Sequence, residues 1–335
     1  MAGVVPASTD AHDDVPDPAS KSVAVGAGEF ERRRRHALIV ACDTYDDEHF
    51  SELRAPIHDV AALTRVLSDP MIGNFTVRSL LNQPVHQISN SLADFLQDRQ
   101  RDDLAVMYFS CHGIKDDNGR LYLAGRDTRF DRLRTSAIRA SVLHEEMDDS
   151  RAQQIVLLLD CCFSGAWSRE MAPRASERLD VAEQLGGRGR TVITASSATE
   201  YAFEDGQRVD NKPMPSFFTE AVVEGLETGA ADRDGDGQIS AEELYFYVYD
   251  RVQQRTSKQT PTRSIQAGQG DVYLARRPRP LPPELQAAED GEDRWTVLGL
   301  IEELAPTQGA RCYRLGHCRT PGPRAVDPAS RSAGR

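Results

Sequence analysis

No apolar run in this sequence approaches the roughly 18 residues that span a bilayer. The longest are short, such as Ile155 to Leu159, so a membrane partner is not expected. No apolar segment follows Met1 either, and no secretory signal is expected. Six cysteines in 335 residues are too few for a disulfide scaffold. That scarcity fits a reducing, cytoplasmic compartment. Positive charge is also short, with 40 Lys and Arg against 52 Asp and Glu and a net charge of -12. Such a chain repels phosphate polymers, so no nucleic-acid partner is expected. Hydrophobic residues make up 39% and charged residues 27%, which suits a real core with polar, disordered ends.

The chain reads as three parts. Residues 1–35 are rich in Ala, Asp, Pro, Ser and Gly. They cannot bury enough surface to offset ordering entropy, so a disordered tail is expected. It ends in Arg32 to Arg35, read as a solvated charge run, with a self-cleavage site as the sharper alternative. Residues 36–277 alternate between strand and helix patterns. Strands are expected at Ala37–Cys42, Phe75–Leu81, Leu104–Ser110, Gln154–Leu159, Thr191–Ala195 and Asp271–Ala275. Helices are expected at Ile57–Leu67, Val85–Leu96, Ala137–Met147, Phe217–Leu226 and Ala241–Val252. The alternation implies an α/β fold, with a mostly parallel six-stranded sheet covered by helices on both faces. Residues 278–335 begin with the stiff segment Pro278–Pro283 and continue as a mostly disordered tail.

In parallel sheets, sites collect at the carboxyl ends of strands. The third strand runs into His112-Gly113 and the fourth into Cys162, with Ser164-Gly165 just beyond. Adjacent strands would bring His112 and Cys162 together. A thiolate is the nucleophile, and an imidazole can take the thiol proton and pass it to a leaving amine. The backbone amides of Gly113 and Cys162 are natural oxyanion donors. The bland alternative is an inert buried cysteine and an idle loop histidine.

The segments Tyr108-Phe-Ser-Cys-His112-Gly113 and Asp160-Cys-Cys162-Phe-Ser-Gly165 resemble the two active-site signatures of the caspase-like cysteine peptidases (peptidase C14). The metacaspase and bacterial branch is the nearest match in pattern. The spacing of about fifty residues from His to Cys also agrees. Further likeness lies in Thr194–Glu204 and in Ser216-Phe-Phe-Thr219. The resemblance covers residues 36–277 and implies a caspase-hemoglobinase fold. It implies His112 as base and Cys162, not Cys161, as nucleophile. Phe163 and Cys111 depart from the metacaspase signature without removing a catalytic group.

Caspases that cut after Asp carry a Gln two residues before the nucleophile, where this chain has Asp160. An acid in the primary pocket attracts Arg or Lys and repels Asp. The metacaspase resemblance adds Asp59 and Ser110 to Asp160 as substrate-binding residues. Asp59 also has a simpler reading, as an acid placed favourably in the first turn of a helix. Cleavage of protein or peptide substrates after Arg, with Lys weaker, is the expectation. The stretch Trp167–Arg190 holds Arg169, Arg174, Arg178, Arg188 and Arg190, which suggests autoprocessing.

Asp232-Arg-Asp234-Gly-Asp236-Gly237-Gln238-Ile239-Ser240-Ala-Glu-Glu243 matches the twelve-residue EF-hand loop at every position. Asp232, Asp234 and Asp236 supply carboxylates, and Gly237 permits the sharp turn. Gln238 gives its carbonyl, Ser240 a water-mediated contact, and Glu243 two oxygens. The expected cofactor is Ca²⁺, which would stabilise or activate the catalytic domain. Cys312, His317 and Cys318 offer too few ligands for zinc. Two other readings remain: an inactive Ca²⁺-responsive interaction module, and a Ca²⁺-binding structural protein whose Cys-His pair is incidental.

Overall fold

The structure is a computed structural model. It describes residues 33–278 apart from 166–183, 188, 196–214, 257–258 and 267–270, and it also leaves out the side chains of 162–165 and 265–266. The expected tails at 1–35 and 278–335 therefore lie almost wholly outside the described residues.

Strand β1 (Arg35–Ala41) is followed by helix α1 (Pro56–Ser68), β2 (Thr76–Leu81) and α2 (Val85–Gln97). Then come β3 (Leu104–Lys115), β4 (Leu121–Leu123), β5 (Ile138–Arg139), α3 (Ala140–Asp149) and β6 (Gln154–Gly165). The chain continues through β7 (Arg190–Thr194), α4 (Phe217–Thr228), β8 (Gln238–Ser240), α5 (Ala241–Arg255), β9 (Thr262–Gln266) and β10 (Tyr273–Arg276). The main sheet runs β2-β1-β3-β6-β7-β9, as a six-strand path. The first four junctions of that path are parallel and β9 runs antiparallel to β7, while the short strands β4 and β5 extend the same sheet from β3 as antiparallel pairs. This is the α/β architecture expected of the sequence.

The central strands are apolar throughout because both faces are covered. Alternation divides them: Ala37, Ile39, Val106, Tyr108, Val156 and Leu158 pack on one side with Leu63, Phe218, Val222, Leu244 and Val248. Leu38, Val40, Met107, Phe109, Leu157 and Leu159 pack on the other with Ile88, Leu92, Phe95, Leu143 and Met147. Helices α1, α4 and α5 therefore cover the first face, and α2 and α3 the second.

Several expectations are corrected. The last strand, expected at Asp271–Ala275, is β10, and it leaves the main sheet to pair antiparallel with β8. The sixth strand of the main sheet is β9 instead. Strands β3 and β6 run past their apolar stretches, so His112 lies within β3 and the backbone of Cys162 within β6. The solvated reading of the arginine run fails at Arg35, which is buried. Its guanidinium donates to the carbonyls of Gly73 (2.7 Å) and Leu274 (2.6 Å) and lies over the Phe75 ring. Arg190 is likewise buried in β7 and ion-paired with Asp148, which removes it from the cleavable arginines.

Candidate active site

The parallel pairing of β3 with β6 sets Cys111 opposite Cys161 and His112 opposite Cys162. Strand parity then separates the two cysteines of the pair. Cys161 is buried among the α2 and α3 side, with its Sγ 3.7 Å from that of Cys111. Burial pushes its thiol well above the ordinary value, and the neighbouring Cys111 adds to this. A thiol held protonated is a poor nucleophile. Cys162 shares the parity of Asp160; its side chain lies outside the described residues.

His112 is half-buried between the rings of Tyr45 (4.9 Å) and Phe50 (5.6 Å). Its Nε2 lies 2.8 Å from the carbonyl oxygen of Ser51. A carbonyl only accepts, so Nε2 carries the proton. Burial lowers the imidazole pKa below 6.5, partly opposed by the Ser51 bond. A neutral ring donating from Nε2 leaves Nδ1 as a free base near neutral pH. The backbone N–H of His112 donates to Tyr45 OH (3.1 Å), and that hydroxyl donates to the Cys42 carbonyl (2.8 Å).

The loop that supplies Ser51 is pinned by polar side chains. Asn82 accepts from the Asp43 N–H (2.9 Å) and donates to the Asp43 carboxylate (2.8 Å). Asp47 accepts the N–H groups of His49 (3.0 Å) and Phe130 (3.0 Å). Those bonds, led by the His49 N–H, hold its carboxyl below the usual range. The sequence reading named no group to orient His112, because a backbone carbonyl leaves no mark in sequence. Gly113, the expected oxyanion donor, sits in β3 opposite Leu123 of β4 and Phe163 of β6.

The three expected pocket residues come together on the α1 and α4 side. Asp59 and Ser110 are buried, and Ser110 Oγ donates to Asp59 Oδ2 (2.8 Å). Asp160 is the direct strand partner of Ser110. The Ser216 N–H donates to Asp59 Oδ1 (2.9 Å), and the Ser216 hydroxyl donates to Asp160 Oδ2. Thr219 Oγ1 (2.9 Å) and Tyr108 OH (3.2 Å) also lie within hydrogen-bond reach of Asp160 Oδ2, and because their oxygens are 2.6 Å apart one of the two donates to the other and the second to Asp160. Burial pushes both carboxyls up, and the Asp160 charge pushes Asp59 further. Among the described residues no Lys or Arg bonds either acid. Sequence reasoning quoted Tyr108, Ser216 and Thr219 within the resembling segments but gave them no place at the pocket acids. The available signal was the Ser-x-x-Thr spacing of a helix cap, which Ser216 does provide by accepting the Thr219 N–H (2.9 Å).

The EF-hand-like loop lies between α4 and α5. Oxygens of Asp232, Asp234 and Asp236 all fall within 4.8 Å of one another. Gly235 and Gly237 have φ of 78° and 87°, where only glycine is unstrained. Burial, then the neighbouring acids Asp234, Glu243 and Asp232, raises the Asp236 pKa. Three converging carboxylates with this loop geometry fit a hard divalent cation. Glu243 closes the capping box of α5: Oε2 accepts from the Ser240 N–H (2.9 Å) and Oε1 from the Arg233 N–H (2.9 Å). Ile239 pairs with Ala275 of β10, so the short strand of the loop is satisfied within the chain. No described helix is long and apolar enough to cross a membrane.

Comparison with known proteins bears on the family and the fold. The sequence model of the caspase domain matches residues 34–273. No curated protein matches significantly. Among solved structures, caspase-1 from Spodoptera frugiperda superposes with a TM-score of 0.52 at 13% identity, covering 75% of this chain and 93% of its own. A structural-genomics protein from Geobacter sulfurreducens gives a TM-score of 0.52 at 12% identity, covering 73% of this chain and 98% of its own. At such identities the likeness concerns the fold.

Proposed function

This chain belongs to the caspase-domain family, and on that premise we propose that it is a cysteine endopeptidase cleaving after Arg, with Lys weaker. The observation that carries the specificity is the pair of acids Asp59 and Asp160, bonded by hydroxyl and amide donors and by no described cation. His112 Nδ1 takes the Cys162 thiol proton. The thiolate attacks the scissile carbonyl, and the charge on its oxygen is met by the Gly113 and Cys162 amides. The imidazolium then protonates the leaving amine, and water hydrolyses the acyl-enzyme with His112 as base. Metacaspase-like, bacterial-type character and a cytoplasmic setting complete the reading. The test is a peptide library varied at the residue before the cut. Arg should lead and Lys follow. Cleavage after Asp with Arg ignored would defeat the pocket assignment.

The loop at Asp232–Glu243 supports a Ca²⁺ site formed by Asp232, Asp234 and Asp236, the Gln238 carbonyl, Ser240 and Glu243. These residues would hold a divalent cation, which would offset the repulsion among the converging carboxylates. A ligand held at about 100 times its Kd stabilises by about 2.7 kcal/mol. A domain of this size gains roughly 2–4 °C in Tm per kcal/mol. Calcium should therefore raise Tm by several degrees, and Asp234→Asn and Glu243→Gln should suppress that rise. Glu243→Gln should also lower the metal-free Tm, because Glu243 closes the capping box of α5. An unchanged Tm with calcium would remove the site.

Autoprocessing is the remaining element. Its candidate sites Arg169, Arg174, Arg178 and Arg188 all lie outside the described residues. Intact mass spectrometry should show fragments in wild type and a full-length chain in Cys162→Ala. Identical masses would count against it.

A further inference from the structure

Ser216 touches both pocket acids at once. Its N–H holds Asp59 and its hydroxyl holds Asp160, while the same oxygen accepts the Thr219 N–H and so starts α4. Asp59 belongs to α1 and Asp160 to β6, so this one residue ties two separate elements to the first turn of a third. Thr219 Oγ1 and Tyr108 OH lie 2.6 Å apart beside Asp160, so one hydroxyl donates to the other and the pair supplies one further donor to Asp160. The donors are distributed unevenly. The described hydroxyls that contact Asp160, Ser216 and the Tyr108–Thr219 pair, all fall on Oδ2. Among the described residues no group donates to Oδ1, which leaves that oxygen for an incoming side chain. Both oxygens of Asp59 carry a bond, and each oxygen has a second lone pair. The two acids are thus aimed as well as placed side by side.

We propose that Ser216 and Thr219, in the first turn of α4, are positioning residues that orient Asp59 and Asp160 to take a planar guanidinium in preference to an ammonium. The inference rests on the basic-residue pocket proposed above and adds the groups that set its discrimination. A guanidinium presents donors in a rigid fork and gains only when the accepting oxygens are fixed in matching directions. An ammonium is a point charge with rotatable donors and tolerates carboxylates that turn. Loss of the Ser216 hydroxyl frees Asp160 to rotate and should therefore harm Arg more than Lys.

The experiment measures kcat and KM separately for matched Arg and Lys peptides, in full-length wild type, Ser216→Ala, Ser216→Thr and Thr219→Val. Active-site titration normalises for folded enzyme. Ser216→Ala should raise KM for Arg about tenfold, the scale of one charge-assisted hydrogen bond, with kcat nearly kept. The Lys KM should move by less than threefold, so the Arg preference collapses. Thr219→Val should act in the same direction, and Ser216→Thr, which keeps the hydroxyl, should restore the preference. A role confined to capping the helix would lower the active fraction and Tm and leave the Arg to Lys ratio unchanged. An unchanged ratio in both Ser216→Ala and Thr219→Val overturns the proposal while leaving the pocket standing. A wild type that cuts neither Arg nor Lys peptides defeats the pocket and this inference with it.

Discussion

Replacing His112 with alanine should cut kcat for Arg peptides by about a thousandfold or more, within the range expected for loss of a positioned acid–base group. KM should change little, because His112 does not line the acidic pocket. Nε2 is committed to the Ser51 carbonyl and the ring is held between Tyr45 and Phe50, so Nδ1 is the one basic nitrogen available. Burial keeps the ring neutral at pH 7. The sign follows: with a pKa below 6.5, the base is lost only on acidification, so the acid limb of kcat/KM should lie below that value. His112→Asn is a stricter version, since an amide fills the space without a titrating nitrogen. A variant that keeps a tenth of wild-type kcat would show that His112 is not the base.

The second large effect is a trade between activity and stability at Asp59. Asp59→Asn should lower kcat/KM for Arg peptides by about two orders of magnitude, the usual scale for removing one partner of a buried charge pair. The same change should raise Tm at pH 7.5. Burial and the nearby Asp160 push the Asp59 pKa well above its ordinary value. The folded chain therefore holds this proton more tightly than the unfolded chain. The stabilising contribution is present at low pH and is lost as pH rises through the folded-state pKa. At pH 7.5 the wild type bears the cost of crowded acids, and asparagine relieves it. Each kcal/mol recovered is worth roughly 2–4 °C. The Tm gap between variant and wild type should narrow on moving to pH 5. A variant less stable than wild type at both pH values would contradict this electrostatic account. Destabilised functional sites of this kind are a common cost of activity.

Much of the fold was legible because a sheet covered on both faces writes continuous apolar runs. Ala37–Ala41 and Ile155–Leu159 are such runs, and they mark strands that are observed. The strand β9 was not legible. Its sequence Thr262-Arg-Ser-Ile-Gln266 is largely polar and sits at the sheet edge, beyond β7. Strand β4 has three residues, too few to show a period. The ends of β3 and β6 were missed because His112 and Asp160 interrupt the apolar pattern where the sheet turns to the site. Arg35 looked like a surface charge because sequence cannot show that its guanidinium reaches three carbonyls.

The site divides in the same way. Side chains with distinctive chemistry, His112, Asp59, Ser110 and Asp160, were legible, and the structure brings the last three together. The Ser51 carbonyl was not, since every residue has one. Ser216 stood out in the sequence only as part of the resembling segment Ser216-Phe-Phe-Thr219, and its link to two acids depends on three elements meeting. The dyad itself is supported by the strand register, which pairs the backbone positions of His112 and Cys162.

The most direct test of the account is covalent labelling of the full-length protein by a peptide carrying a thiol-reactive group after Arg. Mass spectrometry should find a single adduct on Cys162, suppressed by excess Arg peptide, much slower in His112→Ala and absent in Cys162→Ala. The matching Asp reagent should leave the protein unlabelled. No adduct from the Arg reagent, or equal labelling by the Asp reagent, would contradict a thiol nucleophile set beside an acidic pocket.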